Sequence, residues 1–366
     1  MKIGDTPFRT IWPDRDGPSV HVIDQRALPH RFVVATLRSW QEAATAIRDM
    51  TVRGAPLIGA TGAYGLALAM QADPSDAALA ESFQHLLGTR PTAVNLRWGL
   101  ERMRRLLQPL RPDQRRDAAY AEAAAIADDD VAVCSALGQH GADLIAQAWT
   151  DAGRSRPINV LTHCNAGWLA TVDWGTALAP IYKAHRAGVP VHVWVDETRP
   201  RNQGASLTAY ELAAEGVPHT IVVDNVGGHL MQHGSVDLCI VGTDRTTRTG
   251  DVCNKIGTYL KALAAHDNGV PFYVALPSST VDWHMRDGVR EIPIEEREAA
   301  EVTHMTGETE AGDIATVRVT PKGSPALNYG FDVTPARLVT GLITERGLCE
   351  ASEAGLLSLF PQAAAA

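Results

Sequence analysis

The sequence predicts an α/β protein: a mainly helical N-terminal domain with a small β element, then a catalytic-type domain with a parallel sheet. Three observations carry this. Before residue 153, two short β-like runs give way to long segments of helical period. After Gly153-Arg-Ser-Arg-Pro157, strand-like and helix-like runs alternate. Each helical run there closes on Gly or a Gly-Val-Pro turn and the next strand begins at once, the mark of βαβ units and a sheet covered on both faces. The domains are accordingly drawn as 1–153 and 154–366.

Taken in order, SVHVIDQ and RFVVATL read as two strands joined by a turn around Leu28-Pro29-His30. Ser39-Trp-Gln-Glu42 fits a capping box, with Trp40, Ala44, Ile47 and Met50 at helical spacing. Gly54 and Pro56 in TVRGAP break that helix. A second helix, apolar nearly all round, runs from Leu57 to Met70, and alanine-rich helices fill Asp76 to Ala152. Asp128-Asp129-Asp130 reads as a solvated face. The glycines of Gly59-Ala-Thr-Gly62-Ala-Tyr-Gly65 lie inside a helix, where they permit close packing. Beyond the boundary come NVLT, helix GTALAPIYKAHRAG, VHVWVDE, helix ASLTAYELAAEG, TIVVD, VDLCIVG, helix CNKIGTYLKALAAH and FYVALP.

Composition narrows the function. The 366 residues are 45% apolar and 20% charged, as in an ordinary soluble globular protein with ample core. A net charge of −9 argues against nucleic acid as the main partner, since phosphate backbones require clustered Lys and Arg. A local basic pocket for one small anion is still compatible with it. No run approaches the roughly 20 apolar residues that cross a bilayer. The opening MKIGDTPFRTIWPDRDG lacks the apolar centre of a signal peptide, so the expected compartment is the cytoplasm. The apolar helix Leu57 to Met70 and the WLATVDWG loop suggest more apolar surface than one subunit hides, hence a homodimer.

Five cysteines are scattered without CxxC spacing, which speaks against both a disulfide framework and structural zinc. Cys239 is mid-strand core; Cys134 and Cys349 sit on helical stretches and read as packing, as does Cys253. No GxGxxG or Walker loop follows a strand, so neither a nicotinamide nor another nucleotide cofactor is expected.

Open parallel sheets present functional groups just past the carboxyl ends of their strands. In NVLTHCNAG the apolar pattern stops at His163, Cys164 and Asn165. A thiol at that mouth, near backbone N–H groups, suits ionisation or acid–base work; a small residue packing a turn is the plainer reading. Asp244 follows the strand in IVGTDR. Burial beside apolar walls would keep it protonated at neutral pH as a general acid, against the plainer readings of a helix cap or a pair with Arg245. Asn254-Lys255 opens the helix through IGTYLKAL and suits a phosphate. Arg53-Gly54-Ala55 offers a guanidinium and a flexible backbone for the same anion, with Arg97 as a third cation. Gln203 could hydrogen-bond hydroxyls or simply belong to a capping turn.

Together, RDMTVRGAPLIGATGAYGLALA, THCNAGWLATVDWGTALAPIY, VDETRPRNQGASLTAYEL, DNVGGHLM, VGTDRTTRTGDVCNKIGTYLKALAA and NYGFDVTP resemble the methylthioribose-1-phosphate isomerase family. That family is related to the regulatory subunits of the eukaryotic translation-initiation guanine-nucleotide exchange factor. The resemblance runs from Arg9 to Gly347. It implies a homodimer with a helical N-terminal and a Rossmann-like C-terminal domain, acting in methionine salvage without a metal or cofactor. It makes Cys164 and Asp244 the catalytic pair and Arg53, Gly54, Ala55, Arg97, Gln203, Asn254 and Lys255 substrate contacts. This chain has GTDRT where many members show GADRI, and Cys253 replaces a common alanine; both departures bear on substrate preference rather than chemistry.

The implied reaction converts 5-methylthioribose 1-phosphate to 5-methylthioribulose 1-phosphate. A protonated Asp244 would open the ring; hydrogen then moves from C2 to C1, either as a proton shuttled by Cys164 or as a hydride. The alternatives are an isomerase of 5-deoxyribose 1-phosphate or ribose 1,5-bisphosphate and, further off, a non-catalytic regulatory subunit.

Overall fold

The computed structural model describes residues 1–4, 6–90 and 93–365. Near the N-terminus, Ile11–Pro13, Val20–Ile23 and Val34–Leu37 form a three-stranded antiparallel sheet in that order. The two predicted strands are its second and third; the first is too short to show alternation in sequence. Helix α1 (Trp40–Arg48) starts at the predicted cap, where Ser39 Oγ accepts the Glu42 N–H at 3.2 Å. Glu42 in turn accepts the Arg38 N–H at 2.6 Å.

Helix α2 (Ala55–Ala72) is buried along nearly its whole length, packed against α1, α3 (Asp76–Thr89), α4 (Val94–Leu107) and α5 (Pro112–Asp151). Its glycines bring backbones together: a Cβ on Gly59 would lie 2.7 Å from the Asn95 carbonyl oxygen of α4. Each helical glycine costs about 1 kcal/mol in propensity, whereas a buried Leu57 or Leu66 contributes about 1.5–3 kcal/mol. Packing therefore decides that α2 is a helix. The chain itself covers α2, and Trp168 of the WLATVDWG loop is likewise fully buried, so neither offers the apolar surface for a second subunit that the sequence suggested.

Helix α5 joins two cores. Ala119, Ala123 and Ile126 pack in the N-terminal helical cluster, while Leu137, Ala142 and Ile145 pack against the strand Ile158–Thr162 and α6 (Leu178–Arg186). The acidic run in its middle is not wholly solvated. Asp130 accepts the Val172 N–H at 2.7 Å, and burial pushes its carboxyl up to about 7.

The main sheet has seven strands: Gly347–Cys349, Gly341–Thr344, Phe272–Ala275, Leu238–Val241, Ile158–Thr162, Val191–Asp196 and His219–Val222. All neighbours are parallel except the first pair, in which Leu342 opposes Cys349. Chain order runs from Ile158–Thr162 outward to His219–Val222, returns at Leu238–Val241, and runs outward the other way. The reversal point lies between Ile158–Thr162 and Leu238–Val241, where such sheets open a crevice. Helices α7 (Ala209–Ala214), α8 (Val226–Gln232) and α9 (Thr258–Asp267) join successive strands. Cys349 belongs to the edge strand rather than to a helix.

A second, four-stranded sheet orders Val281–Asp282, Arg245–Thr247, Val252–Lys255 and Phe331–Thr334. It corrects the placement of Asn254 and Lys255. They end a strand, opposite Asp332 and Phe331, and do not open a helix. Gly257, at φ 100°, turns the chain before α9 begins at Thr258, and Asp332 accepts the Gly257 and Tyr259 N–H groups at 2.7 and 3.1 Å.

Candidate active site

Cys164 stands two residues past the strand Ile158–Thr162, with φ 63° in the left-handed region that L-residues avoid. Two threonines hold it there. The Cys164 N–H donates to Thr198 Oγ1 at 2.8 Å, and its carbonyl accepts from Thr208 Oγ1 at 2.7 Å. Backbone strain of about 1–3 kcal/mol persists only where the surroundings enforce it. The thiol donates to Gln203 Oε1 at 3.4 Å, the contact expected of a neutral S–H. Burial pushes the thiol up, against the pull of Lys255 and Arg53, while Asp244 adds to the rise.

Asp244 follows the neighbouring strand Leu238–Val241, its N–H bound to the Cys253 carbonyl at 2.9 Å. It lines the same cavity as Cys164, Gln203, Asn254 and Lys255. Burial raises its carboxyl above the ordinary range; Lys255, Arg90 and Arg53 oppose the rise, and Glu295 adds to it. A raised carboxyl beside a neutral thiol supplies an acid without an adjacent ionised base.

Cations ring the cavity. Arg53 is buried, its Nε–H donating to Gln25 Oε1 at 3.1 Å and Nη1 to the Asn165 carbonyl at 2.9 Å, with Nη2 bound to Asn165 Oδ1. A guanidinium has five N–H donors, so this framework leaves two for a ligand. Gly54 follows at φ 87°, and a Cβ there would lie 2.3 Å from the Ala170 carbonyl oxygen. Only glycine lets α2 begin this close to the loop after Cys164. Ala55, the first residue of α2, is also on the cavity wall. Lys255 donates to the Gly330 carbonyl at 2.9 Å and lies 4.7 Å from the Phe331 ring centroid. Asn254 donates to Thr258 Oγ1 at 3.1 Å.

Arg97 does not join this set. It is an exposed residue of α4, whose buried face carries Leu96, Leu100, Met103 and Leu107. The cation that reaches the cavity from this region is Arg90, at the end of α3, paired with Glu295 at 2.9 Å. Arg297 lines the cavity as well, bridged to Glu295 and Glu301 at 2.7 and 2.9 Å.

His163 was visible in sequence only as a polar strand-end residue. Its Nδ1 lies 3.0 Å from Asp196 Oδ2 and its Nε2 2.8 Å from the Ile256 carbonyl, tying the Cys164 strand to the turn after Lys255. His163, Asp196 and Asp224 bring ligand atoms within 4.8 Å of one another, a spacing that could hold a metal. Lys261 already meets Asp196 at 3.3 Å and donates to the Asp224 carbonyl, so the chain supplies its own cation there.

A doubly wound sheet with a thiol and a carboxyl at its reversal point, inside a ring of cations, defines a small-anion site on a Rossmann-like scaffold. Residues 51–351 match the Initiation factor 2 subunit family, and the chain belongs to that family. It is 68% identical over 364 residues, all of both chains, to methylthioribose-1-phosphate isomerase of Paramagnetospirillum magneticum. It is 65% identical to that of Rhodospirillum rubrum, covering 100% of this chain and 95% of the relative. Among solved structures, 5-methylthioribose 1-phosphate isomerase of Pyrococcus horikoshii superposes with TM-score 0.82 at 38% identity, covering 97% of this chain and 96% of that one. The translation initiation factor eIF-2B subunit delta of A. fulgidus superposes at 0.78 with 37% identity, covering 97% and 100%.

Proposed function

We propose that this chain is an aldose–ketose isomerase converting 5-methylthioribose 1-phosphate to 5-methylthioribulose 1-phosphate, a step of methionine salvage. The observation that carries the reading is the convergence of Cys164 and Asp244, from adjacent strand ends, on a cavity walled by Arg53, Arg90 and Lys255. The proposed substrate contacts are Arg53, Gly54, Ala55, Gln203, Asn254 and Lys255, with Arg90 in the role that the family resemblance gives to Arg97.

Phosphate on the anomeric oxygen keeps the sugar ring closed unless the ring oxygen is protonated. Asp244 donates that proton, the bond from C1 to the ring oxygen breaks, and its electron pair leaves with the new hydroxyl. C1 becomes cationic. The hydrogen on C2 then moves with its electron pair to C1, the 2-hydroxyl yields its proton to the Asp244 carboxylate, and C2 becomes the ketone. This returns Asp244 to its starting state. A thiol held neutral by burial and engaged with Gln203 is a poor base, which favours hydride movement over a proton shuttle through Cys164. The cations hold the phosphate throughout, and no step calls on a metal or nucleotide.

Arg297, on the cavity wall, is already bridged to Glu295 and Glu301, so it is committed before any second phosphate arrives. That supports an uncharged 5-substituent over a bisphosphate. The likeness to an initiation-factor subunit favours a second, non-catalytic reading, but that reading leaves the buried, raised Asp244 inside a ring of cations without a role. All five cysteines are unpaired, which suits the reducing cytoplasm. A homodimer would cover exposed apolar residues of this chain, Val317, Val319, Leu327 and Tyr329 among them, which are 55%, 51%, 59% and 49% exposed. Ketose formation from methylthioribose 1-phosphate by the purified chain tests the proposal; absence of turnover by folded protein would sink it.

A further inference from the structure

Glu211 lies behind the cavity wall, not on it, and has no solvent-exposed surface. Four donors converge on its carboxylate. Asn165 Nδ2 and the Leu169 N–H reach Oε1 at 2.9 and 3.1 Å; the Trp168 N–H and the Tyr182 hydroxyl reach Oε2 at 2.8 and 2.7 Å. Gly167 leaves room for this wrap, since a Cβ there would lie 1.8 Å from Glu211 Oε2.

Two of these bonds lead to Arg53. The Asn165 amide, with its nitrogen turned to Glu211, must turn its oxygen away, and that oxygen accepts from Arg53 Nη2. Leu169 gives its N–H to Glu211 and its carbonyl to Gln25 Nε2 at 2.7 Å, while Gln25 Oε1 accepts the Arg53 Nε–H. One guanidinium is thus fixed from two sides by a ring of bonds that closes on one buried carboxylate. The Asn165 NH2 is oriented by two acceptors, Glu211 Oε1 and Thr208 Oγ1 at 3.1 Å, the latter having given its hydrogen to the Cys164 carbonyl, while the Leu169 carbonyl orients the Gln25 amide.

We infer that Glu211 is a positioning residue for anion binding, helping to set the Asn165 amide and through it Arg53, whose two remaining donors are the ones available to an anion in the cavity it lines. The inference rests on the sugar-phosphate reading of the site and deepens it. Glutamine at 211 has one acceptor oxygen and one NH2. Whichever way it turns, its NH2 opposes a backbone N–H, that of Trp168 or that of Leu169, and the wrap of residues 165–169 that holds Arg53 must shift; in the second case Asn165 also turns a donor toward Arg53.

The test measures calorimetric Kd for inorganic phosphate together with KM, kcat and Tm, in the full chain and its variants. Glu211→Gln is expected to raise Kd and KM by roughly tenfold or more, with a smaller change in kcat. Tyr182→Phe removes one bond to the same carboxylate without touching the Asn165 arm; it should lower Tm and leave Kd within about twofold. In an Arg53→Lys background, Glu211→Gln should add less than about twofold, because the group through which it acts is gone. Equal fold-losses with and without Arg53, or phosphate binding by folded Glu211→Gln equal to wild type, would overturn the inference. So would a Tyr182→Phe loss of binding as large as that of Glu211→Gln. Should Glu211→Gln not fold, Asn165→Ala cuts the same link and must reproduce the loss of phosphate affinity; wild-type affinity there also overturns it. Failure of the isomerase reading is separate: it would be wild-type protein that binds phosphate and forms no ketose.

Discussion

Cys164 and Asp244, far apart in sequence, stand just past two adjacent parallel strands on either side of the sheet's reversal point. Their proximity is a product of topology. Strand Ile158–Thr162 begins the sheet and Leu238–Val241 returns beside it, so whatever follows each strand faces the same crevice. Both groups are shifted the same way by burial, the carboxyl toward holding a proton and the thiol toward keeping one.

Asp244→Asn preserves shape and removes the acidic proton. General acid–base groups contribute roughly 100- to 10,000-fold, so kcat should fall by that factor while KM changes little. The working form is the protonated one and burial raises its pKa, so activity is full at lower pH and is lost as pH rises through that raised value. A wild-type profile of kcat against pH that rises on the alkaline side would contradict this assignment.

Hydrogen transfer can be followed by label. Substrate carrying deuterium at C2 should give ketose retaining it at C1, and turnover in D2O should leave C1 without solvent deuterium. Cys164→Ser should then slow the reaction through the shape of the wall and keep label retention intact. Wash-out of the C2 label would restore the thiol as a base.

The two arginines of the RPTAVNLRW region separate cleanly. Arg90→Ala should raise KM by roughly tenfold or more, since a charge-assisted contact at the cavity is lost. Arg97→Ala, at an exposed site of α4, should leave KM and kcat near wild type. Steady-state kinetics of both variants check the assignment; the reverse pattern would return the role to Arg97.

Gly54→Ala places a methyl 2.3 Å from the Ala170 carbonyl oxygen at a left-handed φ of 87°. Backbone strain alone costs about 1–3 kcal/mol, and the contact adds to it. Urea unfolding should show a lower midpoint, and KM should rise because the start of α2 and Arg53 are displaced together. A variant as stable as wild type would show that the Ala170 loop yields freely.

Much of this architecture is legible in the sequence, and the failures have physical causes. Cys164 and Asp244 stand out because polar residues replace an apolar period at strand ends. Arg53-Gly54-Ala55 stands out because two helix-period runs need a break. Asn254 and Lys255 read as helical in sequence because Val252–Lys255 is a four-residue strand running into a helical pattern, with only Gly257 to divide them. Arg90 carries no signal of its own because it closes a helix, where a basic residue needs no further reason. Glu211 sits in ASLTAYELAA, indistinguishable in sequence from a solvated helix glutamate. Its burial is set by Gly167 and Tyr182, which only tertiary structure brings to it. The strands Gly341–Thr344 and Gly347–Cys349, four and three residues long, carry too little pattern to be read.

Assembly is tested by sedimentation at micromolar concentration. The exposed apolar residues Val317, Val319 and Leu327 predict a dimer of this chain, and Val317→Glu should shift it toward monomer. A monomeric wild type at that concentration would reject the dimer.

The most direct measurement of the central claim follows the C2 carbon of 13C-labelled methylthioribose 1-phosphate by NMR in the presence of purified protein. The mechanism assigned to Asp244 predicts a ketone resonance that grows with wild-type protein and is nearly absent with folded, phosphate-binding Asp244→Asn. An unchanged spectrum with folded wild-type protein, or equal ketone formation by Asp244→Asn, would contradict it.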